Sequence, residues 1–353
     1  MPSPQATTDR SRWLHAWAWF LCCATWPLVW IGGLITTTDA GMAVPDWPGT
    51  YGYNLFLYPW STWFFGPWDL FVEHGHRLFA SGVGLITIAA VAVAWRSEPR
   101  SWLRWMTAGA LVLVIGQGVL GGLRVILNER LLAMLHGSIG PVFFAYTAAL
   151  VAATRRPAPG EPALAGGMPW LMPALVWVQV TLGAALRHVP EDGSFWTFAQ
   201  HVQAHLWQAG IVTAAVAAML LAAWRRPAPR AERLLAAAGG LCVVVQLLLG
   251  VGAWVAKYRL PGWAQQAVDG DGLVAAGWEA AIGPGTIGPS TAGGWGETLT
   301  VTAHTANGAL LLALVTAWAV LAASRRRSLG EATGATAQPK ESQFLHEPPG
   351  STH

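Results

Sequence analysis

The sequence predicts an all-α polytopic membrane protein with eight transmembrane helices, arranged as two tandem, pseudo-symmetric four-helix bundles. Three observations lead to this prediction: an apolar composition, eight long apolar segments, and histidines that recur at one depth in alternate segments. Of the 353 residues, 54% are hydrophobic and 11% are charged, whereas a water-soluble domain carries about 25% charged residues. The composition therefore excludes an ordinary soluble domain.

Each apolar segment is long enough to cross a hydrocarbon core, which takes roughly 20 helical residues. The segments lie near residues 14–37, 70–95, 105–124, 131–153, 170–187, 202–224, 234–256 and 299–323. The first is too long for the apolar region of a signal peptide, and no small-residue cleavage pattern precedes Asp39, so we expect it to remain as a membrane helix.

Arginine clusters border the segments on one side, and the positive-inside rule places that side in the cytoplasm. The clusters are Arg10 and Arg12, Arg96 to Arg104, Arg155 and Arg156, Arg225 to Arg233, and Arg325 to Arg327. Both termini are therefore expected to be cytoplasmic, and the connections near 38–69, 125–130, 188–201 and 257–298 to lie outside. Because the basic residues border helix ends, the net charge of +3 gives no indication of nucleic-acid binding.

The chain divides into two halves and a tail. Residues 1–160 hold the first four segments and residues 161–327 the other four, so an axis along the membrane normal is expected to relate the halves. Residues 328–353 lack an apolar period and are rich in Gly, Pro, Ser, Thr and charge, which predicts a disordered cytoplasmic tail.

Every even-numbered segment carries a histidine about three to six residues from its outer end, which is roughly 5 to 9 Å deep at about 1.5 Å per residue. Ligating side chains inside a membrane are costly and are usually kept for a site, and two facing imidazoles can bind a heme iron from both sides. Each half is therefore predicted to hold one heme. The four histidines are His76, His136, His205 and His304.

Alternatives to these heme sites remain for single residues. A lone histidine can serve as a helix-to-helix hydrogen bonder, and zinc or copper ligation is disfavoured because two bundles separate the pairs. In the sixth segment His201 lies one turn before His205; we prefer His205 because it lies deeper. The three cysteines lie inside spans and form no heme-attachment motif, so a heme would be held non-covalently.

The odd-numbered segments repeat the pattern Gln-x-x-Leu-Gly near their outer ends, at residues 117–121, 179–183 and 246–250. Glycine lets helices approach closely in lipid, so helix packing alone explains the glycines. A glutamine side chain inside a membrane additionally needs a hydrogen-bond partner, which the sequence does not identify.

Only the second segment adds a carboxylate beside its histidine. Glu73 precedes His76 by three residues and projects from the same helix face, whereas the equivalent position before His205 is Val202. The structural alternative is an ion pair between Glu73 and Arg77 four residues later. The functional interpretation is an acid–base group at the edge of one heme.

Several cations lie at the outer ends of the spans, against the positive-inside bias. Heme carboxylates need such partners, so these side chains are candidates for binding the propionates. The candidates are Arg77, Arg124 and Arg187, with Lys257 and Arg259 after the seventh segment.

Together these residues resemble those of the heme A synthases, integral membrane enzymes of cytochrome oxidase assembly. The resemblance covers nearly all eight segments, and the run Val44-Pro45-Asp46-Trp47-Pro48 in the first outer loop makes it specific. Its other elements are Glu73-x-x-His76-Arg77, Gly121 to Val125, His136, Gln179 to Arg187, His205 and His304.

The resemblance implies oxidation of the C8 methyl of heme O to a formyl group, through successive hydroxylation. It also implies that His76 and His136 hold the substrate heme and that Glu73 is the catalytic carboxylate. By the same resemblance, His205 and His304 would ligate a heme b cofactor. The implied partners are heme O synthase and an electron donor, in a bacterial-type plasma membrane.

Two features depart from the family pattern. Many bacterial relatives place a cysteine pair around the Pro-Asp-Trp-Pro run, where this chain has Val44 and Thr50, and the last outer loop is unusually long. Two other functions stay open: a diheme electron-transfer cytochrome, and a non-enzymatic heme-delivery factor in which Glu73 is only an ion-pair partner. The single carboxylate argues against the cytochrome. The oligomeric state, including a homo-oligomer, is left open.

Overall fold

A computed structural model of the chain describes residues 4–155, 169–189, 195–225, 228–258 and 294–336. These ranges are almost entirely helical, and the one pairing of extended backbone found in them is an isolated bridge between Thr50 and Tyr53. The all-α prediction is therefore confirmed. The helices are α1 (Pro4–Thr37), α2 (Trp60–Phe64), α3 (Trp68–Ser97), α4 (Ser101–Leu127), α5 (Arg130–Thr154), α6 (Leu171–Arg187), α7 (Phe195–Arg225), α8 (Arg230–Tyr258) and α9 (Trp295–Thr336).

Seven of these helices are long and apolar enough to cross a membrane. The helix α6 is also apolar but has 17 residues, which at about 1.5 Å per residue lies at the lower limit for a span. In α5 and α9, 67% and 61% of the most apolar window is buried, against 17–28% in the other five long helices. The helices α5 and α9 are therefore central, and the others present most of their apolar surface outward.

Each of these two central helices belongs to a ring of four helices. In the first ring α1, α3, α4 and α5 each pack on two neighbours, and in the second ring α6, α7, α8 and α9 do the same. The rings meet along α5 and α9, with further contacts of α1 with α9 and of α5 with α6. The fold is thus an all-α polytopic membrane protein built from two packed bundles.

One continuous core joins the two bundles. Small side chains recur at helical spacing on the central helices, so their backbones can approach closely. The buried small residues are Ala145, Ala149 and Ala152 on α5, and Ala309, Ala313 and Ala317 on α9.

A tight turn joins α4 to α5 and brings residues of the two helices to the same height. Asn128 ends α4 in the left-handed conformation, with φ 48° and ψ 42°, and α5 begins at Arg130. Asn tolerates this region better than most residues. Because Gly121 and His136 lie at similar distances along the chain from this turn, they come to the same height in the bundle.

The first outer loop, residues 38–59, folds on its own polar groups. The carboxylate of Asp46 accepts hydrogen bonds from the backbone N–H groups of Tyr51 and Gly52 at 2.7 and 2.9 Å. Burial alone would raise the pKa of Asp46, but these hydrogen bonds and the charge of Arg77 outweigh it and hold the pKa below its usual value. Asp46 therefore stabilises the loop as a carboxylate.

The C-terminal helix is longer than the sequence suggested. Residues 328–336, which were expected to begin a disordered tail, continue α9 to Thr336. Leu329, Glu331 and Ala332 favour helix, which is the physical reason that the helix extends past the basic cluster. The rest of the predicted tail, and the boundary between the halves at residues 160 and 161, lie outside the described residues.

Candidate functional site

Each of the four predicted histidines packs against a glycine on a neighbouring helix. A Cβ atom at any of these glycines would lie 3.0–3.3 Å from the Cε1 atom of the ring, closer than ordinary van der Waals contact. The pairs are Gly32 with His76, Gly121 with His136, Gly183 with His205, and Gly250 with His304. Three of the glycines close the Gln-x-x-Leu-Gly motifs, so these glycines provide space for the imidazoles as well as for helix packing.

Sequence reasoning missed Gly32. The helix α1 has Leu28 where the other odd-numbered spans have glutamine, so the motif is incomplete there. A search for glycine alone at the same height would have found it.

In the second bundle the imidazole rings of His205 and His304 lie close together. The ring centroids of His205 and His304 are 6.3 Å apart, with an interplanar angle of 61°. Two imidazoles that bind one iron at about 2.0 Å from opposite sides have centroids about 6 Å apart. The separation of this pair therefore fits a single iron atom between the rings.

In the first bundle His76 and His136 face each other from α3 and α5. The Nδ1 atoms of both rings are buried without a hydrogen-bond partner, which is uncommon for buried polar atoms. Arg124 lies near enough to interact electrostatically with both rings. Two neutral donor nitrogens beside a cation form a suitable set for a heme that carries carboxylates.

The carboxylate of Glu73 is buried and held at both oxygens; its residue is 2% exposed. Oε1 accepts a hydrogen bond from Arg77 Nη2 at 2.8 Å, and Oε2 accepts one from the backbone N–H of Val44 at 2.9 Å. The ion pair that the sequence offered as a structural alternative is therefore formed. A carboxylate oxygen has two acceptor positions, so each can still accept a further proton or hydrogen bond.

Arg77 fastens the first outer loop to α3. Its Nη1 donates to the carbonyl oxygens of Asp46 and Gly49 at 2.6 and 2.9 Å, and its Nη2 donates to that of Val44 at 2.8 Å. Together with the ion pair to Glu73, these bonds occupy both terminal nitrogens. Arg77 therefore holds the loop, and Arg124 and Arg187 are better candidates for binding the propionates.

Arg124 and Arg187 contact neutral acceptors. Arg124 Nη2 donates to Gly41 O at 3.0 Å, and Arg187 donates to the hydroxyls of Thr305 and Thr37, both at 2.8 Å. Within the described ranges neither forms a salt bridge with a carboxylate, although Arg124 lies near enough to Glu73 to interact electrostatically. Because partly buried cations usually pair with anions, these two side chains are the suitable partners for propionates.

Two further contacts fix the loop at positions 44 and 50, both fully buried. Thr50 Oγ1 lies 2.9 Å from His74 Nδ1, and Val44 N–H binds Glu73. These are the positions where the family resemblance places a cysteine pair. In this chain polar contacts to α3 fasten the loop at both points.

Trp47 anchors the loop on the neighbouring helix. Its indole lies against Gly122 so closely that a Cβ there would be 2.2 Å from Cδ2. Gly122 follows Gly121, which contacts His136, so the loop and His136 pack against adjacent glycines of α4.

His201 is not brought to the pair. Its Nδ1 lies 2.7 Å from the carbonyl oxygen of Thr197 on its own helix, whereas His205 lies beside His304. Lys257 and Arg259 cannot be placed, because the side chain of the first and the whole of the second lie outside the described residues.

Fold and site together define a polytopic membrane protein in which each of two bundles presents a pair of histidines. Residues 67–193 match the COX15-CtaA family model, described as a cytochrome oxidase assembly protein. The chain is 31% identical to a heme A synthase of Geobacillus kaustophilus over 137 residues, which are 36% of this chain and 40% of the relative. It is 26% identical to a heme A synthase of Rhizorhabdus wittichii over 142 residues, which are 34% of this chain and 39% of the relative.

The matched part thus spans about two fifths of the length of these relatives. Residues 67–193, which match the family model, include Glu73, His76, Arg124 and His136, the residues of the first histidine site. These matches confirm the resemblance to the heme A synthase family that the motifs predicted.

Proposed function

We propose that the chain is a heme A synthase, which oxidises the C8 methyl of heme O to a formyl group. The observation that carries this proposal is the buried carboxylate of Glu73, fixed one turn before His76; the described residues show it beside the first histidine pair and show no such carboxylate beside the second. Both residues lie in the segment that matches the cytochrome oxidase assembly family.

The two histidine pairs take different hemes in this proposal. His76 and His136 bind the substrate, because in the described part of the chain a carboxylate lies beside their site and not beside the other. His205 and His304 ligate heme b, and their 6.3 Å separation supports a bound iron. When bound, heme b supplies the electron transfer that oxidation of a methyl group requires.

Glu73 moves the proton in this scheme. Arg77 and the Val44 N–H fix both carboxylate oxygens on the helix face that carries His76, so the group needs little reorganisation during reaction. A free acceptor position on either oxygen lets Glu73 take up or pass on a proton beside the bound substrate. The loop that Arg77 holds keeps water away from this carboxylate.

Two cations orient the carboxylates of the hemes. Arg124 lies beside the first histidine pair, and Arg187 is bonded to Thr305, next to His304. Each provides several N–H donors for a propionate. In this proposal both hemes lie near the outer side, and both termini lie in the cytoplasm.

An apolar groove of about 340 Å³ runs along α3 from Gly75 to Ile86. Its walls include Ala24, Trp63, Phe79 and Ile86, and Gly75 lies at one end. The isoprenoid tail of heme O needs such an apolar surface, and the groove supports entry of the substrate from the lipid. The expected partners are heme O synthase, which would supply the substrate, and an electron donor.

A non-enzymatic heme-delivery factor is the second candidate. The formed ion pair between Glu73 and Arg77 favours it, because a carboxylate that only holds a loop needs no catalytic role. An electron-transfer cytochrome is less well supported, since it leaves the asymmetry between the two sites unexplained.

Glu73→Gln separates synthase from delivery factor. We expect the variant, co-expressed with heme O synthase, to bind hemes but to form at least about 100-fold less heme A, as measured by chromatography and mass of the extracted hemes. Glu98→Gln is the matched control, since Glu98 is a buried glutamate at the opposite end of α3, paired with Arg100. Normal heme A in the Glu73 variant would contradict the catalytic role.

A further inference from the structure

The glutamines of the repeated motif contact the histidines of the second bundle. Gln179 Nε2 lies 3.2 Å from both ring nitrogens of His205 and donates to its carbonyl oxygen at 3.1 Å. Gln246 Nε2 lies 3.4 Å from His304 Nε2. These contacts give the motif glutamines the partners that the sequence left unidentified.

The first bundle has no equivalent contact among the described residues. Position 28, four residues before Gly32, is leucine, so no amide is present near His76 at that point. Gln117 completes its motif, yet no hydrogen bond joins its side chain to His136, and the Nδ1 atoms of both histidines lack a partner. The two bundles therefore share the glycine contact and differ in the amide contact.

An amide beside an iron-binding imidazole has a definite chemical use. When one ring nitrogen binds the metal, the other carries a proton, and an acceptor there fixes the ring and makes it a better ligand. Gln179 Oε1 and His304 Nδ1 are both buried without a partner. Rotation of the Gln179 amide about its Cγ–Cδ bond presents its free oxygen to His205.

The amide of Gln246 is itself held in place. Asn307 Nδ2 donates to Gln246 Oε1 at 2.8 Å and to the carbonyl oxygen of Cys242 at 2.9 Å. Asn307 therefore fixes the side chain of Gln246 against the ring of His304.

We propose that Gln179 and Gln246 are positioning residues that hold His205 and His304 on the iron of the second bundle. This contact makes the second bundle the site that retains its heme, and its absence from the first bundle lets that site exchange heme. The inference rests on the proposed function, in which one heme is a cofactor and the other a substrate.

The test measures heme release and the potential of the retained heme. Purified holoprotein is mixed with excess apomyoglobin, which captures released heme b, and the midpoint potential is determined by titration. Gln179→Leu and Gln246→Leu should each release heme b about 10-fold faster and shift its potential. Gln208→Leu is the control, because Gln208 lies one turn after His205 on α7 and its side chain donates to Leu175 O and not to an imidazole.

Gln179→Glu keeps the test decisive if a leucine variant folds poorly. It retains an acceptor oxygen at the same reach and should release heme b at close to the wild-type rate. Equal release from the wild type and both leucine variants would overturn the inference, whether or not heme A is formed. A wild type that retains heme b but makes no heme A would instead contradict the proposed function.

Discussion

At the scale of single residues, the site depends on where side chains are absent. A glycine faces each histidine, and Gly122 accommodates the indole of Trp47. Neighbouring glycines of α4 therefore serve different purposes, which substitutions can separate.

Gly121→Ala tests the contact with His136. The added Cβ would lie 3.0 Å from Cε1, so the ring must move by a few tenths of an ångström. We expect binding of heme O to weaken about 10-fold, measured by absorbance titration, because ligand geometry is sensitive to such displacement. Gly118→Ala on the same helix meets no atom within 4 Å and should bind normally; weakening of both variants to the same degree would contradict the account.

At the scale of elements, the first outer loop is a folded unit attached to α3 and α4. Arg77, Glu73 and His74 hold it from α3, and Trp47 holds it from α4. The loop therefore fixes the carboxylate as much as the helix does.

The order of this loop should depend on pH through Asp46. Its pKa is lowered in the folded loop, so the stabilisation is complete above the unfolded value of about 3.9 and is lost as pH falls through the folded value. Cleavage of the loop by pepsin can be followed from about pH 5 to about pH 2. We expect the cleavage rate to rise at the acid end of this range. Asp46→Asn should be cleaved faster at the upper limit already; a variant as resistant as wild type there would exclude this role.

The helices and the pairing of the histidines could be predicted from the sequence for a physical reason. Apolar length and the recurrence of histidine at one depth are local patterns, and they predicted the spans and the paired histidines. The loop contacts of Arg77 were not accessible, because its acceptors are backbone carbonyls roughly 30 residues away, which carry no side-chain signal. The same holds for Gly32, whose motif lacks its glutamine.

At the scale of the whole molecule, the two bundles are joined by a seam of small residues between α5 and α9. Arg187 reinforces the junction, since it extends from α6 to hydroxyls on α1 and α9. The halves that the sequence described separately therefore share one core.

Ala313→Leu tests this seam. Ala313 is 3% exposed, and extra methyl and methylene groups in a packed core cost about 1–3 kcal/mol. We expect a lower unfolding temperature in detergent, measured by intrinsic fluorescence. Ala218→Leu, on an outward-facing position of α7, should unfold like wild type; an unchanged Ala313 variant would show that the seam tolerates separation.

The central claim is that the first bundle oxidises heme O while the second holds heme b. The most direct measurement is the heme content of purified wild type, His76→Ala and His304→Ala after co-expression with heme O synthase, by chromatography and mass of the extracts. We expect heme b and heme A from the wild type, heme b without heme A from His76→Ala, and loss of heme b from His304→Ala. Heme A formed by His76→Ala, or a wild type that contains heme b and only unchanged heme O, would contradict the account.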